Sequence, residues 1–120
     1  MYRSDDAFKF IEIEHRHRLI KPNYKVAEFG SSPGSWTQVI VDKLENSTRP
    51  NLVSVDKEKM DPVKGSKFLH GNFVDNRILS QIIEHFNYES IDLLISDVAP
   101  KYVGCLDRDQ QEMMKMNWST

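Results

Sequence analysis

Residues 30–36 read Gly-Ser-Ser-Pro-Gly-Ser-Trp, and they are the stretch of this sequence best suited to hold a ligand. Gly30 and Gly34 allow a tight backbone turn and a close approach to a bound molecule, because glycine has no Cβ. Pro33 restricts the turn between them. A strand is predicted at 25–29 before the turn, because turn signals flank it, and apolar residues at helical spacing follow the turn. Such a strand, turn and helix bind nucleotide-like ligands in open α/β sheets.

The spacing within this turn narrows the class of nucleotide. A dinucleotide fingerprint reads G-x-G-x-x-G, and Ser32 stands at its second glycine position. A phosphate-binding P-loop ends in Gly-Lys-Ser/Thr, which the turn lacks. Both departures favour an adenosine ligand without phosphates, such as S-adenosylmethionine. An ordinary strand-to-helix turn without a ligand is the alternative that the turn alone leaves open.

Two carboxylates follow predicted strands at positions from which they could face the same ligand. Asp56 closes the strand predicted at 51–55, about twenty residues beyond the turn, where an acidic residue commonly binds ribose hydroxyls. Asp97 ends the apolar segment 90–96, and a carboxylate at the end of a central strand faces the ligand crevice. A structural role as a loop cap is the alternative for each carboxylate.

Hydrophobic periodicity predicts the elements that position these residues in one domain spanning residues 1–120. Ser4 is a plausible N-cap of the first helix, and Ala7, Phe8 and Ile11 share one of its faces. No further strand is predicted in 101–120. The predicted strands are 25–29, 51–55, 66–70 and 90–96, and the predicted helices are 1–20, 36–44 and 78–86.

Composition and charge exclude several classes of protein. A net charge of −2 argues against a generally basic nucleic-acid binder, although residues 15–18 with Lys21 and Lys25 concentrate positive charge. That cluster is either a local RNA contact or a solvated helix end. No apolar run is long enough to span a membrane, and no signal or transit peptide is visible. Cys105 is the only cysteine and the histidines fit no common zinc pattern, so no metal site is predicted.

Four segments resemble, in order and spacing, the FtsJ/RrmJ-type ribosomal RNA 2′-O-methyltransferases: YRSDDAFKF, VAEFGSSPGSWTQ, VSVDKEKMDPVKGSKFLHGNF and LLISDVAPKYVG. The resemblance runs from residue 2 to about residue 114. It implies a Rossmann-like methyltransferase fold with strand order 3-2-1-4, S-adenosylmethionine as cofactor, and ribosomal RNA or a ribosomal particle as partner. HRHRLIKPNYKV and GCLDRD look closer to the eukaryotic mitochondrial branch, which implies a mitochondrial location, with the cytoplasm as the alternative.

The same resemblance implies which residues hold the cofactor. Asp56 would bind its ribose, and the position of Asn72 would contact its adenine. The family usually has aspartate at that position, so the negative charge of this contact is lost here, although an amide can accept one hydrogen bond and donate another. The implied set is Gly30, Pro33, Gly34, Ser35, Trp36, Asp56, Asn72 and Asp97.

The family's catalytic residues are a lysine–aspartate–lysine–glutamate tetrad, of which Lys9 and Asp97 match the first two. The second lysine and the glutamate have no counterpart before Thr120. We therefore expect a fragment, a shortened isoform or a degenerate copy that methylates RNA poorly. It would be a monomer whose fourth strand is an open, association-prone edge.

The leading function is methyl transfer from S-adenosylmethionine to a ribose 2′-hydroxyl of ribosomal RNA. One alternative is an inactive relative that binds cofactor or RNA without turnover. The other is an NAD-type oxidoreductase, which the missing glycine fingerprint disfavours.

Overall fold

The computed structural model describes residues 1–45 and 48–96, together with the backbone of 103–106. Helices lie on both faces of one sheet. Within the described ranges, no helix is long and apolar enough to cross a membrane. The elements in chain order are α1 (Asp6–His17), β1 (Val26–Phe29), α2 (Ser35–Lys43), β2 (Leu52–Asp56), β3 (Lys67–His70), α3 (Asn76–His85), β4 (Ile91–Ser96) and β5 (Val103–Leu106).

The sheet has the strand order β3-β2-β1-β4-β5. β1 pairs in parallel with β2 and β4, and β2 pairs in parallel with β3, which confirms the predicted order 3-2-1-4. Phe29 at the end of β1 lies opposite Val55 of β2 and Ser96 of β4. The carboxyl ends of these three strands therefore meet along one edge of the sheet, the carboxyl edge. The opposite edge is the amino edge.

β5 corrects two predictions, that residues 101–120 contain no strand and that β4 is an open edge. It pairs antiparallel with β4, with Ile91 opposite Leu106 and Ile95 opposite Val103. A four-residue strand that includes Gly104 is too short for alternation to distinguish it from a loop. β5 is held by its hydrogen bonds to β4, and such a contact between distant strands leaves no local pattern in the sequence.

Apolar side chains cover both faces of the central strands, as expected for parallel strands that lie between layers of helices. One cluster joins the sheet to α3 and consists of Ala27, Phe29, Val53, Val55, Ile78, Ile82, Phe86, Ile91 and Leu94. The other joins it to α1 and α2 and consists of Ala7, Phe10, Ile20, Val26, Trp36, Val39, Ile40, Leu52, Leu93 and Ile95. Burial on both faces gives the carboxyl edge a rigid support.

The start of α1 differs from the prediction. The N-cap position is Asp5, and the hydroxyl of Ser4 instead donates to the Ser35 hydroxyl at 2.8 Å. Phe8, expected on the same face as Ala7, is 61% exposed, and Phe10 is buried in its place. The reason is how α1 packs: the residues that it buries are those in contact with α2, and Phe8 lies on a different face.

Candidate cofactor site

A sharp turn, residues 30–34, connects β1 to α2 at the carboxyl edge; we call it the glycine turn. The amide N–H groups of Gly30 and Ser31 donate to the Val55 carbonyl oxygen at 2.8 and 3.3 Å, so the turn begins against the end of β2. Gly30 and Gly34 have φ values of 77° and 112°, a region that favours glycine. The backbone conformation of the turn therefore favours glycine at both positions whether or not a ligand binds there.

The start of α2 offers hydrogen-bond donors to this edge. Its N-cap is Gly34, which has no side chain to cap the helix, and the first intrahelical bond runs from the Gln38 N–H to the Gly34 carbonyl at 2.9 Å. The N–H groups of Ser35, Trp36 and Thr37 thus have no acceptor within the helix. The positive end of the helix dipole lies at the same place and favours a carboxylate.

Asp56 is fixed between the glycine turn and the loop that follows β2. Its Oδ2 accepts the Ser32 N–H and its Oδ1 accepts the Glu58 N–H, both at 2.8 Å. Asp56 therefore caps the loop after β2, which is the structural role given above as the alternative to ligand binding. A carboxylate has about four acceptor sites, and its contacts with the described residues use two of them, which leaves two for hydroxyl groups of a ligand.

Asn72 lies beside Asp56, because the Gly71 N–H donates to the Asp56 carbonyl oxygen at 2.9 Å. The exposed side chain of Asn72 accepts the Val74 N–H through Oδ1 at 3.1 Å. Phe73 stacks on Phe29 with ring centroids 5.0 Å apart, which fixes the backbone at this position. The structure thus brings Asp56 and Asn72 to the same edge of the sheet.

The side chains of Trp36 and Ser35 are buried between α1 and α2. The Trp36 indole is 8% exposed, stacks on Phe10 with centroids 4.8 Å apart, and donates from Nε1 to the Asp6 carbonyl at 3.0 Å. The Ser35 hydroxyl is buried against Ser4. Both side chains join α1 to α2, and the expected cofactor contacts of Ser35 and Trp36 stay predictions that their backbones could meet.

The two predicted catalytic residues stand differently. Lys9 lies on the exposed side of α1, whose first turn contacts the start of α2. Among the described residues it makes no ion pair, and no hydrogen bond joins it to the glycine turn, Asp56 or Asn72. Asp97 follows β4 and lies outside the described residues. The catalytic roles of both residues stay predictions.

Glu28 is a site-supporting residue that the sequence reasoning missed. It is fully buried in β1, directly below the glycine turn. Its Oε1 accepts the Thr37 hydroxyl at 2.5 Å and the Ser54 hydroxyl at 2.9 Å, which joins β1, α2 and β2. An acidic residue within a short apolar strand was the available signal, because buried carboxylates need partners.

Arg3 was also missed, and it lies on the outer side of the glycine turn. Its Nη1 donates to the carbonyl oxygens of Pro33, at 2.9 Å, and Asp61, and its Nη2 donates to that of Pro62 at 3.2 Å. An open cavity of about 400 Å³ lies here, lined by Arg3, Ser32, Pro33, Lys59, Met60 and Asp61. A single arginine near the start of the sequence gives no periodic signal.

The basic cluster lies away from this site. α2 starts at the carboxyl edge, and its last residue, Lys43, approaches Glu14 of α1 at 4.0 Å, so residues 15–18 lie toward the amino edge. Lys25 precedes β1 and pairs with Glu89 at 3.0 Å. An RNA contact by this cluster would therefore be remote from the glycine turn.

Among the described residues, no group of three or more His, Cys, Asp or Glu side chains could hold a metal ion.

Comparisons with known proteins agree on one family. The model described as FtsJ-like methyltransferase matches residues 2–118. The chain is 38% identical over 109 residues to ribosomal RNA large subunit methyltransferase E of Methylobacillus flagellatus, covering 91% of this chain and 52% of that protein. It is 37% identical to the protein of the same name from Picrophilus torridus, covering 96% of this chain and 59% of that protein.

A solved structure described as a ribosomal RNA methyltransferase from Plasmodium falciparum has a TM-score of 0.70 and 29% identity, and the match covers 80% of this chain and 56% of that one. The chain thus spans about half the length of the relatives it matches. These findings leave the mitochondrial location, its cytoplasmic alternative and the monomeric state as predictions.

Proposed function

The chain belongs to the FtsJ-like methyltransferase family, and we propose that it binds S-adenosylmethionine at the carboxyl edge for methyl transfer to a ribose 2′-hydroxyl of ribosomal RNA. One observation carries this proposal. The carboxylate of Asp56 accepts the Ser32 N–H of the glycine turn at 2.8 Å, so a ribose acceptor and a glycine-rich cradle form one unit. The names of the relatives support ribosomal RNA as the substrate class.

The polar groups at this edge fit the polar groups of S-adenosylmethionine. The two remaining acceptor sites of Asp56 suit the ribose hydroxyls, and such charge-assisted bonds are strong and directional. Asn72 can present an acceptor and a donor to an adenine edge. The N–H groups at the start of α2, which have no acceptor within the helix, suit the carboxylate of the methionine part.

When bound, the cofactor supplies an electrophilic methyl group. The residues of this chain would place it for in-line attack by the ribose oxygen, which is catalysis by proximity and orientation. The hydroxyl proton must leave as the oxygen attacks, and Lys9 and Asp97 are the residues we propose to face that hydroxyl.

Calorimetric titration tests the choice of cofactor. We expect binding of S-adenosylmethionine and of S-adenosylhomocysteine, and no binding of NAD. Asp56→Asn should weaken binding of both adenosyl ligands by about tenfold, since a charged hydrogen bond is replaced by a neutral one. Asp42→Asn, on the exposed side of α2, is the matched control and should bind normally. Binding of NAD without binding of either adenosyl ligand would contradict the proposal.

Transfer is measured with labelled S-adenosylmethionine and ribosomal particles that lack the modification. Incorporation into a 2′-hydroxyl should be lost in Lys9→Ala and retained in Asp42→Asn. Label found only in a base, or only in protein, would refute the proposed reaction.

A further inference from the structure

We propose that Arg3 is a positioning residue that clamps the glycine turn to the 57–65 loop and so holds Asp56 ready for the cofactor. The inference rests on the proposed cofactor site. Its guanidinium reaches the carbonyl oxygen of Pro33 in the turn and those of Asp61 and Pro62 in the loop. One side chain therefore joins two segments that are about thirty residues apart in sequence.

The geometry of arginine suits this role. A guanidinium is planar and carries five N–H donors in a fixed fork, so it can bridge carbonyl groups that point from different segments. The cavity beside the clamp is lined by residues of both charges, Arg3 and Lys59 with Asp61.

The backbone that carries Arg3 is itself fastened to α2. The Arg3 N–H donates to Gln38 Oε1 at 2.8 Å, and Gln38 Nε2 donates back to the Met1 carbonyl at 3.3 Å. The hydroxyl of Ser4 adds its bond to Ser35 at 2.8 Å. Because three contacts order residues 1–4, the guanidinium is directed at the turn without a large further loss of entropy.

Gly34 makes room for the clamp. A Cβ at this position would lie 2.8 Å from Arg3 Nη1 and 3.3 Å from Arg3 Cδ, and also 3.3 Å from Val63 Cγ2. The sequence predicted that Gly34 allows a close approach to a ligand. On the side where a Cβ would project, the group that approaches is Arg3, so any ligand contact of Gly34 falls to its backbone.

The contacts form a closed ring around Asp56. The carboxylate binds Ser32, one residue before Pro33, and Glu58, three residues before Asp61. Arg3 joins the far ends of the same two segments. When Arg3 is lost, the turn and the loop can separate, and the two bonds that orient the Asp56 carboxylate weaken together.

Amide hydrogen exchange and calorimetry test the clamp in Arg3→Met, which keeps an apolar stem but has no donors. In ligand-free protein the Ser32 and Glu58 amides should exchange about tenfold faster. The Kd for S-adenosylmethionine should rise about tenfold, which corresponds to 1.4 kcal/mol. Arg3→Lys should resemble Arg3→Met, because an ammonium group cannot reproduce the planar fork.

Arg49→Met is the matched control. Arg49 also donates a guanidinium N–H to a backbone carbonyl, that of His85 at 2.9 Å, but it precedes β2 at the amino edge. It should lower the melting temperature without changing the exchange of the Ser32 and Glu58 amides or the Kd. Thermal unfolding of each variant shows whether it is folded.

Three results would overturn the clamp: unchanged exchange of both amides in Arg3→Met, an equal rise of the Kd in Arg49→Met, or full recovery of binding in Arg3→Lys. Wild-type protein that binds no S-adenosylmethionine would refute the proposed function instead. The exchange measurement needs no ligand, so it tests the clamp in that case as well.

Discussion

Replacing Asn72 by aspartate should tighten cofactor binding, and the structure allows the size of the effect to be worked out. Asn72 Oδ1 accepts the Val74 N–H at 3.1 Å, and a carboxylate can keep that bond while a second oxygen faces the adenine. Hydrogen bonds that involve a charged group stabilise by about 1 kcal/mol more than neutral ones. The Kd for S-adenosylmethionine should therefore fall about fivefold in Asn72→Asp.

Calorimetric titration measures this change, and Asn76→Asp is the control. Asn76 is exposed at the start of α3, so its substitution adds the same charge to the chain without placing it beside Asp56. Its Kd should stay within error of the wild type. An unchanged or higher Kd in Asn72→Asp would mean that this side chain does not face the adenine. An equal gain in both variants would mean that general charge, rather than a specific contact, tightens binding.

Two further substitutions test how the site is supported. Gly34→Ala should destabilise the fold by about 1–3 kcal/mol because of the φ of 112° at this position and the clash with Arg3. Denaturant unfolding should show a smaller loss when Arg3→Met is also present. If the free-energy losses of the two substitutions simply add, the clash is not the cause. Glu28→Ala should lower the free energy of unfolding by about 3 kcal/mol, since the buried hydroxyls of Thr37 and Ser54 lose an acceptor. Adding Thr37→Val and Ser54→Ala should recover part of this loss. No recovery would mean that the lost hydroxyl bonds are not its cause.

Local patterns were sufficient to predict the main elements of the fold. The strands predicted at 25–29, 51–55, 66–70 and 90–96 each match an observed strand to within one residue at either end. β1, β2 and β4 are buried along nearly their whole length, as expected for strands inside a layered sheet, whereas β3 is not. The glycine turn was predicted from residue types that only a tight backbone conformation requires. β5 was not, since its four residues gain their structure from the neighbouring β4.

The site was predicted less completely than the fold, for a physical reason. Asp56 ends β2, so its place at the carboxyl edge could be inferred from topology, whereas Asn72 was assigned only through the family resemblance. The contacts of Arg3 with Asp61 and Pro62 span 58 and 59 residues, and no local pattern marks a side chain that acts over such a separation. The burial of Trp36 against Phe10 also depends on how α1 meets α2, which its helical spacing alone did not decide.

The observed structural role of Asp56 supports the ligand-binding role that we propose for it. A carboxylate that binds only a ligand has to be ordered when the ligand arrives, at a cost in conformational entropy. Here two backbone N–H groups, from Ser32 and Glu58, orient it in the absence of any ligand. Each bond uses one acceptor site on a different oxygen, so each oxygen keeps one site for a hydroxyl group. The bonds that cap the loop would therefore let this carboxylate bind the ribose, as proposed, without rearrangement.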